Sequence, residues 1–336
     1  MKTWRDTRAI FDEIERLHAA GRSAVLATLV RIEGASHRRV GARLLIRQDG
    51  SMMGVINSSF LENDLRERAI RMLESNEPPE MIEYDTRGED DRVWGLGMGC
   101  NGRLAVFLQV LSPPGDPVLA EIRRRFDGIE SFAIRTVLDG VDAGEILVGP
   151  PFTDEKSGIV VDGAQRVFVH HLDPPLDLVV VGAGEDSVPL VRIAADVGFR
   201  VTVVDHRAGA LNVNAFPAAH RLICARPDNP PSDLPCHVQT FAVLKTHNPS
   251  LDRGWLTFFA GTATPYIGVL GPRERRDELV LGLEPRAHAR VFGPVGLDIG
   301  ADGPEQIAIS ILAEILAIES GRSAGFLRAR DGLLHT

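Results

Sequence analysis

Three observations in this sequence predict an α/β protein, with an N-terminal α+β domain followed by a C-terminal domain built on a parallel sheet. The first is length: 336 residues exceed one ordinary hydrophobic core and point to two domains. The second is "LDLVVVGAGEDSVPLVRIAADVGFRVTVVDHR", residues 176–207, which reads strand, glycine turn, helix, strand, acidic end. The third is the first 110 or so residues, where strand-like runs alternate with helical stripes and glycine-bearing loops. Composition changes at "DPPLDLVVVGAG", which divides the chain into 1–172 and 173–336.

In the first part, Ile10, Phe11, Ile14 and Leu17 share one helical face that ends near Gly21. "AVLATLVRI" (24–32) and "ARLLIRQDGSMMGVI" (42–56) read as strands, the second folded at its Asp-Gly into a hairpin. "FLENDLRERAIRMLESN" is a helix with Leu61, Leu65, Ile70 and Leu73 on or near one stripe, and "EMIEYDTRG" is a further strand. "WGLGMGCNG", residues 94–102, then sets four glycines around Cys100 before the strand "RLAVFLQVL". Glycine in an ordered segment gives φ > 0 or a close backbone approach at an entropic cost. The same spacing fits a tight turn into the strand, or a loop whose N–H groups and thiol face a bound group. Glycine-bearing loops also occupy 34–41 and 54–59. Beyond them, "PVLAEIRRRF" reads as a helix and "FAIRTVLDG" and "QRVFVHHL" as strands, with "GPPFTDEKSG" a loop.

In the second part, Leu178 to Val181 form a continuous apolar run, as in a parallel strand covered on both faces. Gly182 and Gly184 take the first two places of G-x-G-x-x-G, with Ser187 at the third and Pro189 in the first helical turn. Asp205 closes the next strand about twenty residues on, where a dinucleotide fold places its ribose-binding carboxylate. "RLICA", "FAVLKTH" and "YIGVLG" continue the sheet, and "PEQIAISILAEILAIESG" is a closing helix framed by Pro304 and Gly321. The order is that of a Rossmann-like domain, so NAD(P) is a candidate ligand. Glu185 and Asp186 oppose it, because carboxylates beside a helix N-terminus repel phosphate.

A formal net charge of −9 and only short, scattered basic clusters exclude a nucleic-acid surface as the expectation. "MKTWRDTR" lacks the apolar core of a secretory signal, and no apolar run reaches a membrane span, so the expected compartment is the cytoplasm. Cys100, Cys224 and Cys236 form neither a disulfide framework nor a CxxC zinc pair. Cys224, in "RLICA", reads as a buried strand residue.

Taken in order, these segments resemble the XdhC/CoxI family of xanthine dehydrogenase accessory proteins. The N-terminal match is to "ATLVRIEGASHRRVGARLLI", "GSMMGVINSSFLE" and "GLGMGCNG". The C-terminal match is to "VVVGAGEDSVPL", "VTVVDHR", "THNPSLD", "YIGVLGPRERR" and "GPVGLDIGADGPEQIAISILAEI". The resemblance implies a cytoplasmic dimer that binds molybdenum cofactor (molybdopterin) and delivers it, sulfurated, to a molybdenum hydroxylase apoenzyme, with a cysteine desulfurase as a further partner. It implies a chaperone more than a catalyst. An anionic, oxygen-sensitive pterin dithiolene with a phosphate needs N–H donors, cations and exclusion of water. Gly34, Ser36, Arg38, Arg39, Gly41 and Arg43 could supply donors and charge. Gly97 and Gly99 could bring the backbone close, and Cys100, as thiolate, could meet molybdenum or a sulfur donor.

The sequence also departs from the family pattern. Where the family has Gly-Gly-Cys-x-Glu, this chain has Ser58, Ser59, Phe60, Leu61 and Glu62. Glu62 matches, whereas Phe60 cannot ligate metal. Glu185 stands where a histidine usually follows the glycine turn, and Pro272 replaces a small polar residue. His247, in "KTHNPSLD", ends a strand at the carboxyl edge of the sheet, where with Asp252 nearby it could serve a ligand or cap a loop. Besides the carrier, two functions stay open: an NAD(P)-dependent oxidoreductase resting on Gly182, Gly184 and Asp205, and a non-catalytic interaction protein whose sites have decayed. No hydride-transfer dyad such as Tyr-x-x-x-Lys is evident.

Overall fold

The computed structural model describes residues 2–34, 39–57, 59–85, 102–114, 117–151, 156–329. The chain forms two compact units, one of residues 2–174 and one from Pro175 onward.

The first unit opens with α1 (Lys2–Ala19), whose buried face is Trp4, Ile10, Phe11, Ile14 and Leu17. It carries β1 (Ala24–Gly34), β2 (Arg43–Arg47), β3 (Met52–Gly54), α2 (Ser59–Ser75), β4 (Glu80–Asp85) and β5 (Gly102–Leu111). The five strands make an antiparallel sheet in the order β3-β2-β1-β5-β4. The expected hairpin is present: Gly50 takes φ +75°, and Asp49 Oδ1 accepts from the Ser51 N–H and hydroxyl. Strand side chains alternate between faces, so Leu26 and Leu45 pack with α1 while Val25, Ala27, Leu44 and Ile46 pack with α2. The fully buried stripe of α2 is Leu61, Leu65, Ala69 and Met72, and Ile70 and Leu73 are half-buried. The step from Leu65 to Ile70 overshoots the helical repeat, whereas Ala69 falls one turn on. Between Leu29 and Arg31 the β1–β5 register shifts, leaving Val30 as a bulge.

The unit continues with α3 (Pro117–Asp127), β6 (Phe132–Val137), β7 (Ile146–Gly149), β8 (Gly158–Asp162) and β9 (Gln165–Leu172). These strands form a second antiparallel sheet, β7-β6-β9-β8. Trp4, Phe126 and Phe132 meet edge to face at 4.9–5.3 Å and join α1, α3 and β6.

The second unit comprises β10 (Asp177–Val181), α4 (Val188–Val197), β11 (Arg200–Asp205), β12 (Arg221–Cys224), β13 (Thr240–Leu244), α5 (Pro249–Ala260), β14 (Tyr266–Val269), α6 (Arg273–Val280), α7 (Pro285–His288), β15 (Val291–Phe292) and α8 (Pro304–Glu319). All strands are parallel, in the order β12-β11-β10-β13-β14-β15. This is the Rossmann order, with its switch point between β10 and β13. Val180, Val203 and Val243 face α4 and α8, and Val179, Val181, Ala242 and Leu244 face α5 and α6. The closing helix is therefore not a free surface: Ala308, Ile311, Leu312 and Ile315 are buried, with Ile309 on its outer side. Cys224 is exposed, contrary to its reading as a buried strand residue, because it ends the edge strand β12. Among the described residues no helix is long and apolar enough to cross a membrane.

Candidate functional site

Strand register places Gly34, Gly54 and Gly102, the strand ends that border three glycine-bearing segments, at one end of the first sheet. Gly34, the last residue of β1, lies opposite Gly102, the first of β5. The segment after β1 and the segment before β5 therefore spring from neighbouring positions. A Cβ on Gly102 would strike the Glu33 carbonyl oxygen, so the close approach requires glycine there. β3 runs antiparallel to β2 and ends at Gly54, opposite Leu44, on the same side of the sheet. Gly34 and Gly54 adopt φ of +95° and +98°, which turns the chain out of both strands at a cost only glycine avoids.

Of the residues singled out in the sequence, Ser36, Arg38, Gly97, Gly99 and Cys100 lie outside the described residues. Arg39 is exposed, and no ion pair joins it to another described residue. Glu62, in the first turn of α2, turns back on the loop before it. Its Oε1 accepts from the N–H groups of Ile56 (2.9 Å) and Asn57 (3.4 Å). Phe60 is exposed beside it at the helix start.

Gly41 and Arg43 are placed differently from the expectation, because they face inward. Gly41 has φ +88°, and a Cβ there would run into the His170 ring. Arg43 is buried, with Nη1 donating to the Gly41 carbonyl at 3.2 Å and lying 2.6 Å from His170 Nδ1, while its guanidinium sits 5.7 Å from the Phe11 ring centre. Nδ1 must accept, so the neutral ring carries its proton on Nε2. Burial pushes Arg43 down to about 9, leaving it charged at neutral pH. Burial, with Arg43 beside it, holds His170 well below the ordinary imidazole range. This pair ties β2 to β9 and presents no charge to solvent.

In the second unit, the glycine turn follows β10. Gly182 has φ +120°, and a Cβ on it would stand 2.5 Å from the Lys245 carbonyl oxygen; packing against β13 explains this glycine without a ligand. Ser187 Oγ donates to the Gly182 carbonyl at 2.6 Å and closes the turn from inside. Asp205 ends β11 as expected, but both of its oxygens are engaged. Oδ2 accepts from the Ala183 N–H (2.8 Å) and Arg207 Nη2 (3.0 Å); Oδ1 accepts from the Arg207 N–H (2.8 Å) and Nε (3.0 Å). Burial opposes its charge, yet these donors hold the carboxyl at about 2.

His247 lies beyond the carboxyl end of β13 at φ +57°, largely exposed, with Nε2 3.2 Å from Asp186 Oδ2. Asp252 faces elsewhere: Oδ1 accepts from the Thr246 hydroxyl at 2.7 Å, and Oδ2 pairs with Arg275 at 2.5 Å. It braces the loop and α6 and does not assist His247. Lys245 was not singled out in the sequence. Its Nζ lies 3.0 Å from Asp186 Oδ2 and donates to the Asp186 carbonyl at 2.7 Å. The available signal was a lysine closing the otherwise apolar run "FAVLK", where a buried cation needs a partner. Among the described residues, no cluster of three or more His, Cys, Asp or Glu is placed to hold a metal ion.

Two family models match this chain: "XdhC and CoxI family" over residues 17–85 and "XdhC Rossmann domain" over 178–315. The chain is 32% identical over 315 residues to a probable xanthine dehydrogenase subunit from Bacillus subtilis, covering 87% of this chain and 92% of that protein. It is 24% identical over 304 residues to the "Molybdenum cofactor insertion chaperone PaoD" of Escherichia coli, covering 89% and 84%. A crystal structure described as a xanthine dehydrogenase from Bacillus halodurans superimposes with a TM-score of 0.76 at 29% identity, over 94% of this chain and 98% of that one.

Proposed function

The chain belongs to the XdhC and CoxI family, and from that premise we propose that it is an accessory protein that binds molybdenum cofactor in its N-terminal half and delivers it to a molybdenum hydroxylase such as xanthine dehydrogenase. The observation that carries this reading is the shared root of the glycine loops, with Gly34 opposite Gly102 and Gly54 at the same end of the sheet. Loops that leave the sheet together can face one cargo. The names of the relatives from B. subtilis and E. coli support the same class of partner.

The cargo is an anionic pterin dithiolene bearing a phosphate. In this reading Arg39, with Arg38 from the same loop, answers the phosphate, and the backbone N–H groups around Ser36, Gly97 and Gly99 complete the donor set. Cys100 acts as a thiolate toward molybdenum or a sulfur donor. Glu62 acts one step back, by holding the loop at Ile56 and Asn57. Arg43 and Gly41 support that end of the sheet from inside. Sulfuration by a cysteine desulfurase, a homodimeric carrier and a cytoplasmic setting belong to the same proposal.

The test is the molybdenum and pterin content of the protein purified without oxygen from a host that makes the cofactor, beside Cys100→Ala. Cofactor near one per chain, lost in the variant, is the expected outcome. Equal loading of both would remove Cys100 from the site, and no loading of either would end the carrier reading.

A further inference from the structure

A dinucleotide bound to a sheet of this order lies across the switch point. Its pyrophosphate rests against the glycine turn and helix start, and a ribose sits on the carboxylate that ends the second strand. The second glycine of the turn matters because its missing Cβ lets the pyrophosphate approach the backbone. Here that space is filled from within the chain: Asp186 Oδ1 lies 2.5 Å from the point where a Cβ on Gly184 would stand. The obstruction is both steric and electrostatic, since a carboxylate now occupies the place a phosphate would take.

Asp186 is also anchored. Lys245, with a side chain only 2% exposed, holds its Oδ2 at 3.0 Å and its carbonyl at 2.7 Å, and His247 Nε2 reaches Oδ2 at 3.2 Å. Swinging Asp186 away would leave a buried ammonium without its counter-charge, which is strongly unfavourable. Lys245 and His247 both come from the end of β13, across the switch point from the turn they hold. On the ribose side, Asp205 is taken up by the Ala183 N–H and by Arg207. The dinucleotide of this fold does not fit the residues present.

We infer that Asp186, held by Lys245 and His247, closes the Rossmann half of this chain to NAD(P), and that Asp186 is the residue that decides it. The inference concerns the second unit alone and stands whether or not the first unit carries a cofactor. Replacing Asp186 removes one negative charge and uncovers the Lys245 ammonium beside the vacated space, so the two changes favour a phosphate together.

The experiment is a titration of the full-length chain with NADH and with NADPH, followed by the fluorescence of the nicotinamide, for the wild type, Asp186→Gly and Asp186→Asn. The wild type should show no saturation up to about 1 mM, the weak end of measurable affinity. Asp186→Gly should bind at least tenfold more tightly than the wild type. Asp186→Asn, which keeps an acceptor for Lys245 and drops the charge, should gain in the same direction by less. Micromolar binding by the wild type would overturn the inference, as would silence of both variants with native circular dichroism. Should Asp186→Gly fail to fold, Asp186→Asn decides the role of Asp186, and the wild-type titration by itself decides whether the half is closed.

Discussion

At the scale of single residues, the buried pair Arg43 and His170 makes the most specific demand on the surroundings. Arg43 must donate to His170 Nδ1, so the folded protein needs that imidazole neutral. His170 is held well below its ordinary value of 6.5. The unfolded chain then binds a proton below pH 6.5 that the folded chain refuses, so this contribution is intact above that pH and is lost as pH falls. The expected slope is about 1.4 kcal/mol per pH unit on the acid side. Urea unfolding of the wild type and His170→Asn between pH 7 and 5 checks it: the variant should be less stable at pH 7 but lose less on acidification. Identical slopes would mean that the ring is not kept neutral. The sequence offered Arg43 as a ligand contact because an arginine beside a glycine loop reads as a free cation. Its burial depends on β9, more than a hundred residues away, and nothing local reports that. Asp205 was legible by position for the opposite reason, since the end of a second parallel strand is a local address. Its engagement by Ala183 and Arg207 was not legible.

Among elements, α2 shows how one carboxylate can hold both a helix start and a loop. Glu62 gathers the N–H groups of Ile56 and Asn57. Glu62→Ala should lower stability by about 1 kcal/mol, and Glu62→Gln, which keeps an acceptor, by less. Thermal melts of the two variants read this directly. If both variants melt as the wild type does, the loop is held by other contacts. Elements with a strong period were readable from the sequence: α1 through Ile10, Phe11, Ile14 and Leu17, α4 through its glycine turn and Pro189. The short strands β7 and β8 were not, because four or five residues between glycines and prolines cannot be told from a loop. α5 was also passed over, although Asn248 caps it by accepting from Ser250 and Leu251, and Pro249 follows at its first turn.

At the scale of the whole molecule, each unit owns its cores: Phe11, Leu45 and Phe132 in one, Val180, Tyr266 and Ile311 in the other. Fragments of residues 1–174 and 175–336 should therefore each show native-like circular dichroism and a cooperative melt. A fragment that stays unfolded alone would show that its core is not self-sufficient. The parallel half was legible because apolar strands, a glycine turn and crossover helices constrain one another along the chain. The division of the first half into two antiparallel sheets was not, because pairing such as β1 with β5 joins distant stretches. One feature of that pairing, the Val30 bulge, sets the phase of the rungs from Arg31 to Gly34 separately from those before it. A chain shortened by that single residue would keep Arg31 opposite Ala105 and Glu33 opposite Arg103, because β5 runs without a gap past the bulge. Arg31 would stay beside Glu83, which pairs with the same Ala105, and what would be lost is the bend and added twist that the bulge gives the outer rungs, while the inner rungs and their core stayed as they are. The bulge thus acts as a splice, allowing the outer end of the sheet to be re-aimed in descent or by design without rebuilding the part that keeps it folded.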